Sequence, residues 1–271
     1  QAEKWMIIND GQSVPIFFDG ATSRRSILVG ANPELPIARM GTYWLGRVWQ
    51  AGPDGRTFLA GDAVGGASGT LANQFRDAVL HVTENTYLAS NKVFYVPGNI
   101  GDITAIVGVP TLDVSLGQGP VQIYTQEFVF SCNAPTTLAD WATVTNPIVT
   151  VSAQTGASGQ YSTVPVNSDV FSRPRYGVES LILGRREFAT WGNVPISDEV
   201  MIVLSLDDPA LLAYGSAVAF DNRLLITASP VFTQHGVYHR GWVALNFDLI
   251  STLRGKSPSV WESVGTGIEV L

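Results

Sequence analysis

The chain is short of charged residues, and of lysine above all. Only 14% of its residues are charged, and Lys4, Lys92 and Lys256 are its lysines. An average soluble domain carries about 25% charged residues. Charged side chains, lysine in particular, protect exposed strand edges from pairing with other molecules. The shortage therefore predicts sheets that are closed or covered by neighbours, as in a subunit of an assembly.

Disulfides, nucleic-acid binding and membrane insertion are each disfavoured by something that the chain lacks. Cys132 is the one cysteine, so no intrachain disulfide can form, and a reducing compartment is favoured. The net charge of −7 and the pI near 4.9 argue against an electrostatic hold on nucleic acid or an anionic membrane. No apolar run approaches the ~18 residues of a membrane span. Because the chain begins at Gln1 and not at Met, we expect a processed product or an excised domain.

The usual signatures of catalysis and metal binding are missing as well. His235 and His239 are four residues apart, which in a strand separates side chains by about 13 Å, too far for one zinc ion. No Cys-x-x-Cys pair is present, and the glycine-rich stretch 61–69 lacks the lysine of a phosphate-binding loop. Asp207-Asp208 is typical of a turn before Pro209. We therefore expect a protein that is not an enzyme, with no catalytic residue, metal or cofactor.

Alternation of apolar and polar residues predicts strands along most of the chain. The strand predicted at Val237–Leu249 has the cleanest pattern, with His239, Val243 and Leu245 on one face and Trp242 and Asn246 on the other. His239 is thus predicted to be a core histidine. Asn-Gly and similar pairs mark primed turns. Hairpins are predicted around three turns, at Asn9–Gly11, Pro53–Gly55 and Asp221–Asn222.

Other segments predict interruptions of the strands. Val121–Phe130 alternates but changes phase at Gln126-Glu127, which predicts a bulge. Tyr43–Gln50 is predicted to be one strand, and the stretch from about 150 to 175 is predicted to be rich in loops. Short helical turns are predicted in three places, at Leu71–Leu80, Thr137–Ala142 and Pro209–Ala213.

Candidate binding residues lie at predicted turns. Asp54 and Arg56 flank Gly55 at a hairpin tip, where they would contact a sugar or a protein partner. Trp141 lies near another predicted turn, and exposed aromatic side chains serve binding surfaces. The ordinary alternatives are a solvated turn for Asp54 and Arg56 and a core position for Trp141.

The C-terminal part of the chain resembles the closing part of a calicivirus capsid protruding domain, in its vesivirus-like branch. The similar segments span about a quarter of the chain, and Glu34–Trp49 resembles the start of the outer lobe more weakly. The segments, in the family's order, are Ser180–Leu206 (SLILGRREF…WGNVPISDEVMIVLSL), Ala217–Thr227 (AVAFDNRLLIT), Gly236–Leu249 (GVYHRGWVALNFDL) and Val264–Gly267 (VGTG). No counterpart of the family's shell jelly roll is found here. The central loops are unlike the family's, so no receptor-binding residue is carried over.

The resemblance implies a two-lobed, all-β spike domain with little helix. A lower, stem-side lobe would comprise residues 1–36 and 176–271, and residues 37–175 would form an inserted, receptor-facing lobe built as a small antiparallel β-barrel. The family's arrangement implies a homodimer that contacts other capsid subunits and attaches to a host protein or glycan receptor. It further implies a virion protein assembled in the host cytoplasm, without direct contact to nucleic acid.

Two other functions remain open on the sequence alone. The length suits a single jelly-roll capsid subunit of a picorna-like virus, although the chain ends lack a basic arm. The scattered tryptophans are also compatible with a carbohydrate-binding β-domain or a β-fold glycosidase. A low-resolution image of the fold distinguishes the first alternative, because a jelly roll is one sandwich of eight long strands and not a barrel inserted in a second β lobe. Measured glycan binding or hydrolysis distinguishes the second.

Overall fold

The computed structural model of the chain is an all-β protein, as the sequence predicts. It describes residues 2–30, 33–44, 46–63, 77–83, 94–109, 120–132, 148–153, 155–166, 169–182, 195–248 and 260–270. Within these ranges the strands form antiparallel sheets, and Met201–Leu204 forms a single α-helical turn, α1. The described residues also include 3₁₀ turns at Ala78–Leu80, Asp198–Val200 and Leu212–Tyr214.

Each sheet pairs strands that follow one another along the chain. The first two sheets contain β1 (Met6–Ile8), β2 (Ile16–Phe18) and β3 (Ser23–Arg25), then β4 (Met40–Trp44), β5 (Arg47–Ala51), β6 (Thr57–Ala60) and β7 (Phe94–Tyr95). The third contains β8 (Ile103–Gly108), β9 (Val121–Thr125), β10 (Phe128–Cys132) and β11 (Ile148–Ala153). The last two contain β12 (Thr163–Val166), β13 (Asp169–Ser172) and β14 (Glu179–Ser180), then β15 (Ala217–Phe220), β16 (Arg223–Thr233), β17 (Gly236–Asn246) and β18 (Val260–Val270).

The chain divides into two compact units. Unit 1 comprises Gln1–Ile123 and Phe130–Val149, and unit 2 comprises Tyr124–Val129 and Thr150–Leu271. These limits differ from the lobe limits that the resemblance implies. The inserted β-barrel and the stem-side and receptor-facing roles stay predictions.

Unit 1 has a core of aliphatic and aromatic side chains. Trp5 and Phe17 meet edge to face, with ring centres 6.4 Å apart. The guanidinium of Arg24 lies 5.1 Å from the centre of the Phe17 ring and donates two hydrogen bonds, of 2.7 and 2.6 Å, to the carboxylate of Glu34. These two hydrogen bonds keep the nearly buried carboxylate of Glu34 paired at the edge of the core, because a planar guanidinium can bind both oxygens of a carboxylate at once.

The core of unit 2 lies on one face of the β15–β18 sheet. Leu224 and Ile226 of β16 pair with Leu245 and Val243 of β17, and all four side chains are buried. His239 is buried on the same face, so its predicted core position is confirmed. This follows from the period of two, which gives one face of a strand to the core.

The hairpin at Asp221-Asn222 forms as predicted. Asp221 and Asn222 have φ of 49° and 52°, and they join Phe220 of β15 to Arg223 of β16. Two successive residues with positive φ make a primed turn, which matches the twist of the paired strands. The Pro53–Gly55 turn also joins two paired strands, β5 and β6, with Gly55 at φ 74°.

Several local predictions are wrong. Tyr43–Gln50 is two paired strands, β4 and β5, because Gly46 takes φ of 70° between them and reverses the chain. Gln126-Glu127 is the turn between β9 and β10 and not a bulge, since a tight turn shifts the alternation in the same way. The segment 150–175 contains most of β11 together with β12 and β13, despite its weak periodicity. In the first hairpin, β1 and β2 do pair, but residues 9–15 form a longer connection than a primed turn.

The helical predictions have mixed outcomes. The 3₁₀ turn Ala78–Leu80 lies within the predicted segment 71–80, and Leu212–Tyr214 overlaps the predicted Pro209–Ala213. Thr137–Ala142 lies outside the described residues.

Cys132 is fully buried, and burial raises the pKa of its thiol to about 12, which keeps it protonated and unreactive.

Candidate functional site

A cavity of about 660 Å³ in unit 2 is the candidate functional site. Ligand cavities in proteins measure about 300–1,000 Å³. Its walls come from the β9–β10 turn, the segment around Ser158, the segment before β14 and the turn after Asp208. The lining residues are Gln126, Glu127, Ser158, Pro174, Arg175, Tyr176, Glu179, Pro209, Ala210, Leu212 and Ala213.

The first wall depends on a close backbone approach at Gly156. A β-carbon there would overlap the carbonyl oxygen of Thr125 and the backbone of Gln126. The absent side chain lets the N–H of Ala157 donate to the Thr125 carbonyl over 2.9 Å. These contacts hold the β9–β10 turn beside Ser158, so that Gln126 and Glu127 face the cavity.

A buried ion pair positions the second wall. Arg173 donates to the carboxylate of Asp207 over 2.7 Å, and both side chains are only 2% exposed. The same guanidinium donates to the carbonyls of Gly177 (2.7 Å), Pro174 (3.2 Å) and Leu204 (3.3 Å). Asp207 also accepts the N–H of Ser229 over 2.6 Å. Arg173 therefore fixes the segment 174–177 that carries Arg175 and Tyr176 to the cavity.

The third wall is the turn 208–213. Asp208 accepts the N–H of Ala210 over 2.9 Å and so shapes this turn. Gly159 lies against the carbonyl of Ala213, where a β-carbon would be 2.6 Å from the oxygen. The prediction for Asp207-Asp208 is thus half right, because Asp208 makes the turn whereas Asp207 joins the buried ion pair.

Glu179 is the functional group of this cavity. It lies at the start of β14, half-buried, and no lysine or arginine among the described residues pairs with it. Burial raises the pKa of its carboxyl to about 7, and a hydrogen bond with Thr155 opposes that rise. Near neutral pH the group therefore exchanges its proton readily.

Behind Glu179 lies a second, much smaller cavity. It measures about 10 Å³ and is lined by Glu179 with Tyr124, Thr155, Ser172 and Ser180, among others. Tyr124 is fully buried, and its pKa is raised by that burial and by the charges of Asp169 and Glu179. Asp169 accepts hydrogen bonds from the Ser180 hydroxyl and, over 3.0 Å, from the Ile182 N–H. Glu179 thus lines both cavities.

The residues predicted from sequence lie elsewhere. Asp54 shapes its own turn by accepting the N–H groups of Arg56 (3.1 Å) and Thr57 (3.0 Å) and the Thr57 hydroxyl (2.6 Å). Arg56 is exposed beside it in unit 1, and Trp141 lies outside the described residues. The ordinary turn role of Asp54 is therefore present, and receptor binding by these residues stays a prediction.

Glu179, Arg173 and Tyr176 were not identified by the sequence analysis. One signal was available for Glu179, because it is the carboxylate inside the otherwise apolar run Val178–Leu183. A charged residue in such a run is either paired or has a shifted pKa. The partner of Arg173 lies 34 residues away, and no local pattern reveals it.

Comparison with known proteins leaves the family of this chain open. No protein-family model matches it, and no curated protein matches it significantly. Among the described residues, no helix has the length and apolar character needed to cross a bilayer. Within the same ranges, no cluster of three or more His, Cys, Asp or Glu side chains is arranged to hold a metal ion.

Proposed function

We propose that this chain is the surface domain of an icosahedral RNA virus capsid, which pairs with a second copy of itself and attaches the particle to a host receptor or glycan. The resemblance to calicivirus protruding domains and the shortage of charge support the proposal. Three of the four similar segments, Ala217–Thr227, Gly236–Leu249 and Val264–Gly267, contribute strands to the β15–β18 sheet.

The outward face of this sheet is the observation that carries the proposal. Val218 and Phe220 of β15 are 53% and 70% exposed. The register places them beside Leu225 and Arg223, on the side opposite the buried Leu224 and Ile226. The half-buried Trp242 of β17 continues the same side through its pairing with Thr227, whereas Ala244, which pairs with Leu225, is buried there. We call this side, from Val218 to Trp242, the outer face, and its apolar side chains suit a covering partner.

A second copy is the partner that the charges of the outer face favour. Arg223 is bonded to Asp221 over 2.6 Å and to Glu262 over 2.8 Å, and all three side chains are at least partly exposed. In a two-fold interface the same patch occurs on both sides and must complement itself. Arginine and carboxylates at one edge meet that requirement, because each copy offers both signs of charge to the other.

Sedimentation equilibrium of the purified chain tests this pairing. The 29.1 kDa chain should sediment as a dimer, and Phe220→Asp should shift it to a monomer. Phe232→Asp is the matched control, because Phe232 is 72% exposed on the same sheet but lies on its other side. It pairs with Val237, which is on the same face of β17 as the buried His239 and Val243. Burying an unpaired carboxylate in the dimer should weaken association at least tenfold for Phe220→Asp alone.

Two outcomes would contradict the proposal. If the wild type is a monomer at high concentration, the chain does not form the proposed dimer. If both variants weaken the dimer equally, the interface does not lie on the outer face. Both variants should keep the far-UV circular dichroism of the wild type, because neither side chain is in the core.

Strand order favours this proposal over a jelly-roll subunit. A jelly roll interleaves strands that are distant in sequence through Greek-key connections. In the described residues, every sheet instead joins consecutive strands. A carbohydrate-binding domain shares the expected glycan recognition, and the dimer measurement distinguishes it from a capsid spike. Measured glycan hydrolysis would contradict the non-enzymatic role.

A further inference from the structure

The cavity beside Glu179 lies outside the outer face and has no part in the proposed attachment. Its volume of about 660 Å³ lies within the range of about 300–1,000 Å³ that ligand cavities occupy. Its walls are held by the buried Arg173–Asp207 pair and by close backbone contacts at Gly156 and Gly159. A cavity held in this way is pre-formed and does not need to open.

The charge of Glu179 indicates what the cavity would bind. The carboxyl is half-buried, and none of the described lysines or arginines neutralises it. A buried charge without a counter-ion is costly, and a bound cation removes that cost. An anionic ligand would add to the repulsion, and a neutral ligand would leave the carboxylate uncompensated.

The surrounding side chains fit a cation on a hydrocarbon body. The guanidinium of Arg175 already lies 5.5 Å from the centre of the Tyr176 ring, so this ring attracts positive charge. Tyr176 is 67% exposed and keeps ring surface available to a ligand. Pro174, Pro209 and Leu212 supply apolar wall for a hydrocarbon chain. Glu127 adds a second carboxylate at the cavity, against the single guanidinium of Arg175.

We propose that this cavity binds a small organic cation, an ammonium group on a hydrocarbon chain, with Glu179 as its counter-ion and Tyr176 against its side. The source is either a free amine or a lysine side chain of a partner protein. The site is independent of the dimer, so failure of the sedimentation test leaves this inference standing.

Calorimetric titration of the full chain with three isosteric probes tests the ligand class. Hexylamine should bind, 1-hexanol should bind at least tenfold more weakly, and hexanoate should not bind, because only the amine pairs with Glu179. Nα-acetyl-lysine N-methylamide distinguishes the sources: tighter binding than hexylamine indicates a lysine side chain, and weaker binding indicates a free amine. Equal binding of hexanol and hexylamine, or no binding by either amine, would overturn the proposal. Tighter binding of a neutral methyl glycoside than of either amine would do the same.

Variants locate the site. Glu179→Gln should abolish the preference for amine over alcohol, and Tyr176→Ala should weaken hexylamine binding severalfold. Glu199→Gln is the matched control, because it removes the same charge from an exposed position of unit 2 outside the cavity. Unchanged amine binding by Glu179→Gln would place the site elsewhere and refute the inference.

The pH dependence supplies a readout on the unmodified chain. Glu127 and Arg175 at the outer cavity, Tyr124 at the inner one and Asp169 beside it are the charged or titratable groups that face Glu179. Glu179 itself has a pKa of about 7. Hexylamine affinity should therefore fall about tenfold from pH 8 to pH 6 as Glu179 takes up its proton. A flat profile would contradict its role as the counter-ion.

Discussion

At the scale of single residues, two carboxylates of unit 2 show how a partner decides the state of a buried charge. Asp207 is almost fully buried, but Arg173 pairs with it and three backbone carbonyls hold the guanidinium. Glu179 is less buried, yet burial raises its pKa to about 7 because the described residues offer it no cation. The difference between the two carboxylates lies in their partners more than in their depth.

We predict that Glu179→Gln stabilises the protein at pH 8 and not at pH 4.5. The carboxyl has a pKa of about 7 in the folded chain and an ordinary value of 4.5 in the unfolded chain. The folded state therefore holds its proton more tightly, and stability is lost as the pH rises from about 4.5 through 7. Allowing for partial exposure, the variant should gain about 2 kcal/mol in free energy of unfolding at pH 8 relative to pH 4.5.

Urea denaturation at the two pH values measures this gain. Glu199→Gln, which removes an exposed carboxylate, should show no such difference between pH 4.5 and pH 8. The same stability change for Glu179→Gln at both pH values would mean that its carboxyl titrates normally.

At the scale of elements, the residue types of a turn could be recognised in the sequence. The strand pairing that each turn produces could be predicted only in part. The Asp221-Asn222 hairpin was predictable because both residues tolerate positive φ and alternating strands flank them. At Gln126-Glu127 the same phase change indicates either a bulge or a turn, and pairing between β9 and β10 decides it. The cavity was not predictable, because its walls come from four segments spread between residues 126 and 213.

Gly156 carries the element-scale prediction. Gly156→Ala should destabilise unit 2 by about 1–3 kcal/mol, because the new β-carbon overlaps the carbonyl of Thr125 and must displace the β9–β10 turn. Urea denaturation gives the loss, and hexylamine titration should show weaker binding through the displaced wall. Gly98→Ala is the control, since the exposed Gly98 meets only the mobile end of Arg56 and the effect should stay below about 0.5 kcal/mol. Equal losses in both variants would show that the approach at Gly156 is not tight.

At the scale of the whole molecule, the shortage of charge predicts sheets that are closed or covered by neighbours, and this stays a prediction. Val218 and Phe220 are exposed on the outer face of the β15–β18 sheet, and the described sheets join consecutive strands. Attachment to a host would then use residues away from this face. Arg56 is one such candidate, exposed in unit 1 at the hairpin tip predicted from sequence.

Arg56→Ala should reduce attachment of the labelled chain to receptor-bearing cells or array glycans about tenfold, because a charge-assisted hydrogen bond to a ligand contributes roughly 1.5–3 kcal/mol. Its stability should stay within about 0.5 kcal/mol of the wild type, since the hydrogen bond that shapes the turn uses the Arg56 backbone N–H and not its side chain. Flow cytometry and a glycan array provide the readout. Arg240→Ala removes an equally exposed guanidinium from unit 2 and serves as the control. If both variants attach as the wild type does, the hairpin tip has no role in recognition, and attachment must be sought on other loops.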